Sequence, residues 1–189
     1  MSRRETRLGR RRRRRGLAVA MGAAGTLMMG MVLADAAGLR VNTTASMPRG
    51  LWRVEATEAR VERGEIVSVC PPDGAAIREA AQRDYIPAGP CPGGYEPLLK
   101  PVAAIAGDLV AITAEGAAVN GELVADTAQL EVDSAGRPLR PIPAGTYRVP
   151  AGAVWLLSGH DPRSFDSRYF GAVPAANIQG VARPVWVIQ

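Results

Sequence analysis

From Gly16 to Ala34 the chain reads GLAVAMGAAGTLMMGMVLA, 19 residues without a charge or a proline. As a helix rising about 1.5 Å per residue it would be about 28 Å long, close to the roughly 30 Å hydrocarbon thickness of a bilayer. The pattern predicts a transmembrane helix over residues 16–34. A cleaved signal peptide is the rival, with "LADAAG" as the only cleavage-like stretch. The apolar run is longer than a usual signal core, which favours an uncleaved anchor.

Beyond the anchor the pattern changes. Asp35 to Ala45 reads as a short tether, and from Leu51 onward short β-branched runs are punctuated by Gly, Pro, Asn and Asp. That rhythm favours strands. The clearest are Glu65 to Val69, Asp108 to Thr113, Ala153 to Ser158 and Val185 to Gln189. Asn120-Gly121 between apolar flanks predicts a two-residue hairpin turn. Ala75 to Tyr85 is the one convincing soluble helix. The expectation is a mostly β domain over residues 46–189, on one N-terminal transmembrane helix behind a cytoplasmic tail, residues 1–15.

The net charge of +5 belongs to that tail. Arg3, Arg4, Arg7 and Arg10 to Arg15 stand against one acid, Glu5, so the rest of the chain is slightly acidic. Arginine runs bind phosphates by charge alone. Beside an apolar span, however, they mark the cytoplasmic end, so nucleic acid is not an expected partner and Asp35 onward lies outside. Two cysteines, Cys70 and Cys91, then fall in an oxidising compartment and suit a disulfide closing a loop of about 20 residues. A metal site is not expected, because the spacing is not CxxC and His160 is the only histidine. Nothing in the sequence calls for a cofactor.

Of the 23 basic residues, only Lys100 is a lysine, and it sits among apolar neighbours in LLKPVAAIAGD. Arginine holds its proton, whereas a desolvated lysine can lose it and serve as a base for a serine nucleophile. A Ser46–His160–Asp166 triad is the competing arrangement. Against it, Gly-His-Asp-Pro has the composition of a turn, and no Gly-x-Ser-x-Gly elbow occurs.

Three segments, ASMPRGLWRV, LLKPVAAIAGD and SGHDPRSFDSRYFGAVPAANIQGVA, resemble in order the serine, lysine and Asp-Ser-Arg boxes of type I signal peptidases. Pro directly after Ser-Met, then Gly-Leu and an aromatic, is most similar to the conjugative-transfer, TraF-type branch. So is AGPCPGGYEPLLK. The resemblance implies a complex signal-peptidase-like β fold and a serine endopeptidase. Ser46 would be its nucleophile and Lys100 its general base. Ser164 would hold the amine, and Asp166 and Arg168 would buttress the site. The Ser46 backbone N–H, with the Thr44 hydroxyl as a second donor, would form the oxyanion hole.

The resemblance further implies a bacterial inner-membrane protein with its catalytic domain in the periplasm. Its partner would be an exported protein, a pilin precursor that is cleaved or cyclised. Two departures weigh against general secretory cleavage: general signal peptidases have a residue between Met and Pro, and Gly-Asp-Asn-Arg where this chain has SGHDPR. A general signal peptidase and a non-catalytic envelope component remain the alternatives. Leu51 and Trp52 suit either the membrane interface or the core.

Overall fold

The computed structural model describes residues 21–57 and 60–188. The expected cytoplasmic tail and residues 16–20 of the expected span lie outside them. Residues 21–36 form helix α1, on which the large apolar side chains from Met21 to Leu33 are exposed. No helix among the described residues is long and apolar enough to cross a membrane. The chain divides into two compact units at Leu39/Arg40.

The strands run in the order β1 (Leu39–Asn42), β2 (Arg49–Glu55) and β3 (Ile66–Val69), followed by helix α2 (Ala75–Gln82). Then come β4 (Leu98–Ile105), β5 (Leu109–Ile112), β6 (Ala117–Val119), β7 (Glu122–Leu123), β8 (Gly145–Arg148) and β9 (Ala153–Leu156). A short helix α3 (Ser167–Phe170), β10 (Val173–Pro174) and the long β11 (Ile178–Ile188) complete the chain. Seven strands make one sheet in the order β1-β2-β11-β3-β4-β9-β10, and β7-β6-β5-β8 make a second.

The mostly β expectation holds: three of the expected strands and the helix appear with trimmed ends, and the strand expected at Val185–Gln189 is the end of the longer β11. Gln189, its last expected residue, lies outside the described residues. The Asn120-Gly121 hairpin forms between β6 and β7, with both residues at positive φ, 51° and 92°. That pair of left-handed residues is what a tight turn between twisted strands needs. Residues 39–42, expected within a tether, pair into the large sheet as β1.

β4 shows how the core is patterned. Lys100, Val102 and Ala104 are buried, and the residues between them are partly exposed. Val102 packs with Val67, Leu156 and Val173, whereas Ala104 meets Trp155, Val110 and Ala117 of a neighbouring cluster that includes the small sheet. Alternation on a strand thus carries Lys100 inward with its apolar neighbours.

Two glycines are required by close backbone approach. A Cβ on Gly50, at φ 137°, would lie 2.2 Å from the Trp186 carbonyl oxygen. One on Gly180 would lie 2.3 Å from the Glu55 carbonyl oxygen. Both therefore fix how β2 and β11 meet. Trp52 resolves the interface-or-core alternative in favour of the core: it is 2% exposed, packs with Met47 and Ala182, and donates its Nε1–H to the Pro48 carbonyl at 3.0 Å. Leu51 is half-buried on the other face of the strand.

Cys70, just past β3, is bonded to Cys91, and the bridge closes a loop 21 residues in separation that carries α2. In the loop-entropy view such a bridge adds on the order of 3 kcal/mol.

Candidate active site

Ser46 sits on the turn between β1 and β2, and one side chain organises that turn. The Asn42 amide nitrogen lies 3.1, 2.9 and 3.0 Å from the carbonyl oxygens of Thr44, Met47 and Pro48. Its Oδ1 accepts from the Thr44 backbone N–H at 3.1 Å and the Thr44 hydroxyl at 2.8 Å. An asparagine bonding two residues onward is a common turn device, so Asn42 could have been read from "NTT". The turn is anchored at its other end by the Ser158 hydroxyl, which donates to the Ser46 carbonyl. Both residues were missed in the sequence.

The Thr44 and Ser46 hydroxyl oxygens are 3.1 Å apart. Thr44 has one hydroxyl proton and donates it to Asn42, so Ser46 is the donor to Thr44. In this conformation the Thr44 proton is committed away from any oxyanion. By contrast, no protein acceptor among the described residues takes the Ser46 backbone N–H.

Lys100 is 3% exposed on β4 and donates to the Ser164 hydroxyl at 2.9 Å. Burial pushes its pKa down from 10.5 to about 8, with Asp166 and Asp161 pulling it up and Arg168 pulling it down. Desolvation dominates because an ammonium loses its hydration shell inside the protein. No hydrogen bond joins Lys100 to Ser46, but both line one cavity of about 560 Å³ together with Ser164. The structure therefore brings Ser46, Lys100 and Ser164 to the same space.

Beneath Ser164 lies a fully buried ion pair. Arg168 donates from Nε to Asp166 Oδ1 and from Nη2 to Oδ2, each at 2.9 Å. The same guanidinium reaches the Ser164 carbonyl at 2.8 Å and the Ala128 carbonyl at 3.1 Å. Asp166 also caps α3 through the Arg168 backbone N–H, and its Oδ2 accepts from the Ser158 N–H at 3.1 Å. A bidentate pair with its remaining donors and acceptors satisfied tolerates burial, where an unsatisfied pair would not.

His160 is exposed and does not line the cavity. Asp166 is fully engaged with Arg168 and Ser158. The triad reading thus has neither its base nor its orienting carboxylate in place. No group of three or more metal-ligating side chains occurs among the described residues.

A family profile described as "Signal peptidase, peptidase S26" matches residues 13–187. The chain belongs to that family. A probable conjugal transfer protein TraF of Sinorhizobium fredii is 42% identical over 179 residues, spanning 92% of each chain. A plasmid transfer protein TraF of Escherichia coli is 42% identical, covering 88% of this chain and 93% of its own. The conjugal transfer protein TraF of Agrobacterium fabrum is 40% identical, with the same coverage. A signal peptidase I from Enterococcus faecalis V583 covers 66% of this chain and 98% of its own at 21% identity. Its TM-score is 0.37. Membership of the signal peptidase family therefore rests on the profile, and the TraF relatives show likeness to conjugal transfer proteins.

Proposed function

We propose that the protein is a membrane-anchored serine endopeptidase with a Ser46/Lys100 dyad, which processes an exported precursor, a pilin subunit of a conjugative transfer system. The observation that carries this reading is Lys100. The chain's one lysine is buried, its pKa is pushed to about 8, and it shares a cavity with a serine on a pinned turn. An amine in that state can accept a proton near neutral pH.

In the proposed reaction Ser46 first rotates away from Thr44 and hands its proton to neutral Lys100. Its Oγ bonds the scissile carbonyl carbon, and the charge that develops on the carbonyl oxygen meets the Ser46 N–H. Collapse breaks the C–N bond, and Lys100 returns the proton to the departing amine. The acyl-enzyme is then released by water, or by a substrate amine in a ring closure, with Lys100 taking the nucleophile's proton and passing it to Ser46 Oγ as the ester bond breaks. Ser164 holds the amine, and the Asp166–Arg168 pair holds Ser164 through its carbonyl. On this reading α1, with its exposed apolar side chains, belongs to the membrane anchor, and residues 40–188 face the periplasm.

The test is direct. The full chain in detergent micelles is incubated with a pilin precursor, and product masses are read. Hydrolysis adds one water across the two products, cyclisation yields a ring without that water, and an untouched precursor sinks the proposal. Processing that survives Ser46→Ala would remove Ser46 as the nucleophile, and efficient cleavage of ordinary Ala-x-Ala leaders would assign the chain to general secretion.

A further inference from the structure

The cavity that holds Ser46 and Lys100 is larger than a dyad needs, and its lining falls on both faces of the β4 edge, giving a Leu99-side lobe and a Leu98-side lobe. β9 pairs with β4 only from Val102 onward, so the β4 edge at Leu98, Leu99 and Lys100 has no strand partner on the β9 side. Along it, Leu99 packs towards Trp52 and Val54, whereas Leu98 packs towards Tyr85, Ile86 and Phe165. Both sets of residues line the cavity. An extended peptide laid along an open strand edge points successive side chains to opposite faces.

The Leu98-side lobe is walled by two segments with no part in the dyad. One is Tyr85–Pro87, within the disulfide loop, and the other is the stretch carrying Leu130, Asp133 and Leu139. Two bonds fasten them together: the Tyr85 hydroxyl donates to Asp133, and Arg83 donates to the Pro138 carbonyl at 2.7 Å. Within the second segment the Arg137 Nε–H donates to Asp133 at 2.6 Å. From below, the Tyr169 hydroxyl accepts from the Leu130 N–H at 3.3 Å. The Asp133 carboxylate is thereby consumed within the wall and offers the cavity no free charge. What faces the space is mainly aromatic and aliphatic, Tyr85, Ile86, Leu130, Leu139 and Phe165, with the exposed Glu96, Ser134 and Arg163 also lining the cavity.

We propose that this lobe is a specificity subsite for a bulky apolar side chain of the substrate, next in the chain to a residue that faces the Leu99 side. The occupant is a peptide because the lobe is continuous with an unpaired strand edge. The side chain is large and apolar because rings and leucines form most of the wall, the buried Asp133 carboxylate is already engaged, and the remaining polar side chains, Glu96, Ser134 and Arg163, are exposed to solvent. The proposal rests on the peptidase reading for its substrate, but its test does not.

Blocked decapeptides of alanine and serine, with each position in turn replaced by Leu, Phe or Asp, serve as probes. Binding is measured on the full-length Ser46→Ala chain in micelles, and cleavage on the unaltered chain. At one position Phe or Leu should bind about tenfold or more tighter than Ala, with Asp disfavoured. Leu139→Trp, or Leu130→Trp should the first fail to fold, fills the lobe and should bring the preference within about twofold. Leu123→Trp, on the exposed edge of the small sheet, should keep it. Absence of any position preferring a bulky apolar residue, or a preference that survives both filling variants, overturns the subsite. A preference without cleavage would keep the subsite and remove the peptidase. Cleavage without a preference would do the reverse.

Discussion

The Ser158 hydroxyl donates to the backbone carbonyl of Ser46, 112 residues earlier in the chain. Through its own N–H, 3.1 Å from Asp166 Oδ2, the same residue is tied to the buried ion pair. One residue therefore couples the turn that carries Ser46, through its side chain, to the framework that holds Lys100, through its backbone. Ser158→Ala should lower kcat by roughly 10- to 100-fold, as expected for a reacting group misplaced by a fraction of an ångström. KM should change little, because Ser158 does not line the cavity. Steady-state kinetics on a peptide substrate check this. A raised KM with kcat intact would assign Ser158 to substrate binding instead.

Ser46→Ala and Lys100→Arg should each abolish processing while leaving far-UV circular dichroism unchanged. Arginine keeps a positive charge at position 100 but cannot give up its proton at working pH. His160→Ala should cost less than about twofold, since the side chain is exposed and lies away from the cavity. Activity in Lys100→Arg would remove the dyad, and a large loss in His160→Ala would restore the histidine as a base.

Much of this site was legible in the sequence because its parts are chemically unusual. A lone lysine among 23 basic residues stands out, and a Ser-Met-Pro just past an apolar run acquires meaning once the three boxes are aligned. The Asn120-Gly121 turn was readable because its geometry is specified by two adjacent residues. What the sequence hid depends on pairing across long separations. β4 was concealed by Pro101, and the part of β11 ahead of the expected Val185–Gln189 by Gly180 and Pro184. Pro184 is tolerated because β3 pairs with β11 no further than Val181, which leaves the edge beyond it open. Ser158 looked like the end of a strand, and nothing local shows that its hydroxyl reaches Ser46. The lobe beside Leu98 likewise exists only because a disulfide loop and the stretch around Asp133 meet in space.

The ion pair predicts an asymmetry in stability. Asp166→Asn leaves Arg168 charged, wholly buried and without its carboxylate, which should cost about 3–5 kcal/mol. Asp73→Asn, at the exposed Arg78–Asp73 pair, should cost under about 1 kcal/mol. Denaturant midpoints for the two variants compare them. Equal costs would mean that Asp166 and Arg168 are much better solvated than their zero exposure implies.

Lys100 links activity and stability to pH with opposite demands. With a pKa of about 8, the amine is neutral in roughly a tenth of molecules at pH 7. The kcat/KM should therefore rise about tenfold from pH 7 to a plateau above pH 9, whereas a histidine base would give a rise centred near pH 6.5. In the unfolded chain the same lysine titrates near 10.5. Between pH 8 and 10.5 the unfolded state thus binds a proton that the folded state does not, so stability rises with pH across that window. Below pH 8 the full penalty of burying the charge is present, up to about 3 kcal/mol. Lys100→Met, which keeps the length and removes the charge, should accordingly raise Tm at pH 7. Its advantage should shrink as pH rises through 8 and disappear by about 10.5. Thermal unfolding of both chains from pH 6 to 10.5 provides the measurement. A Lys100→Met advantage that stays constant with pH would show that the folded-state pKa is not lowered, and the base role would fall with it.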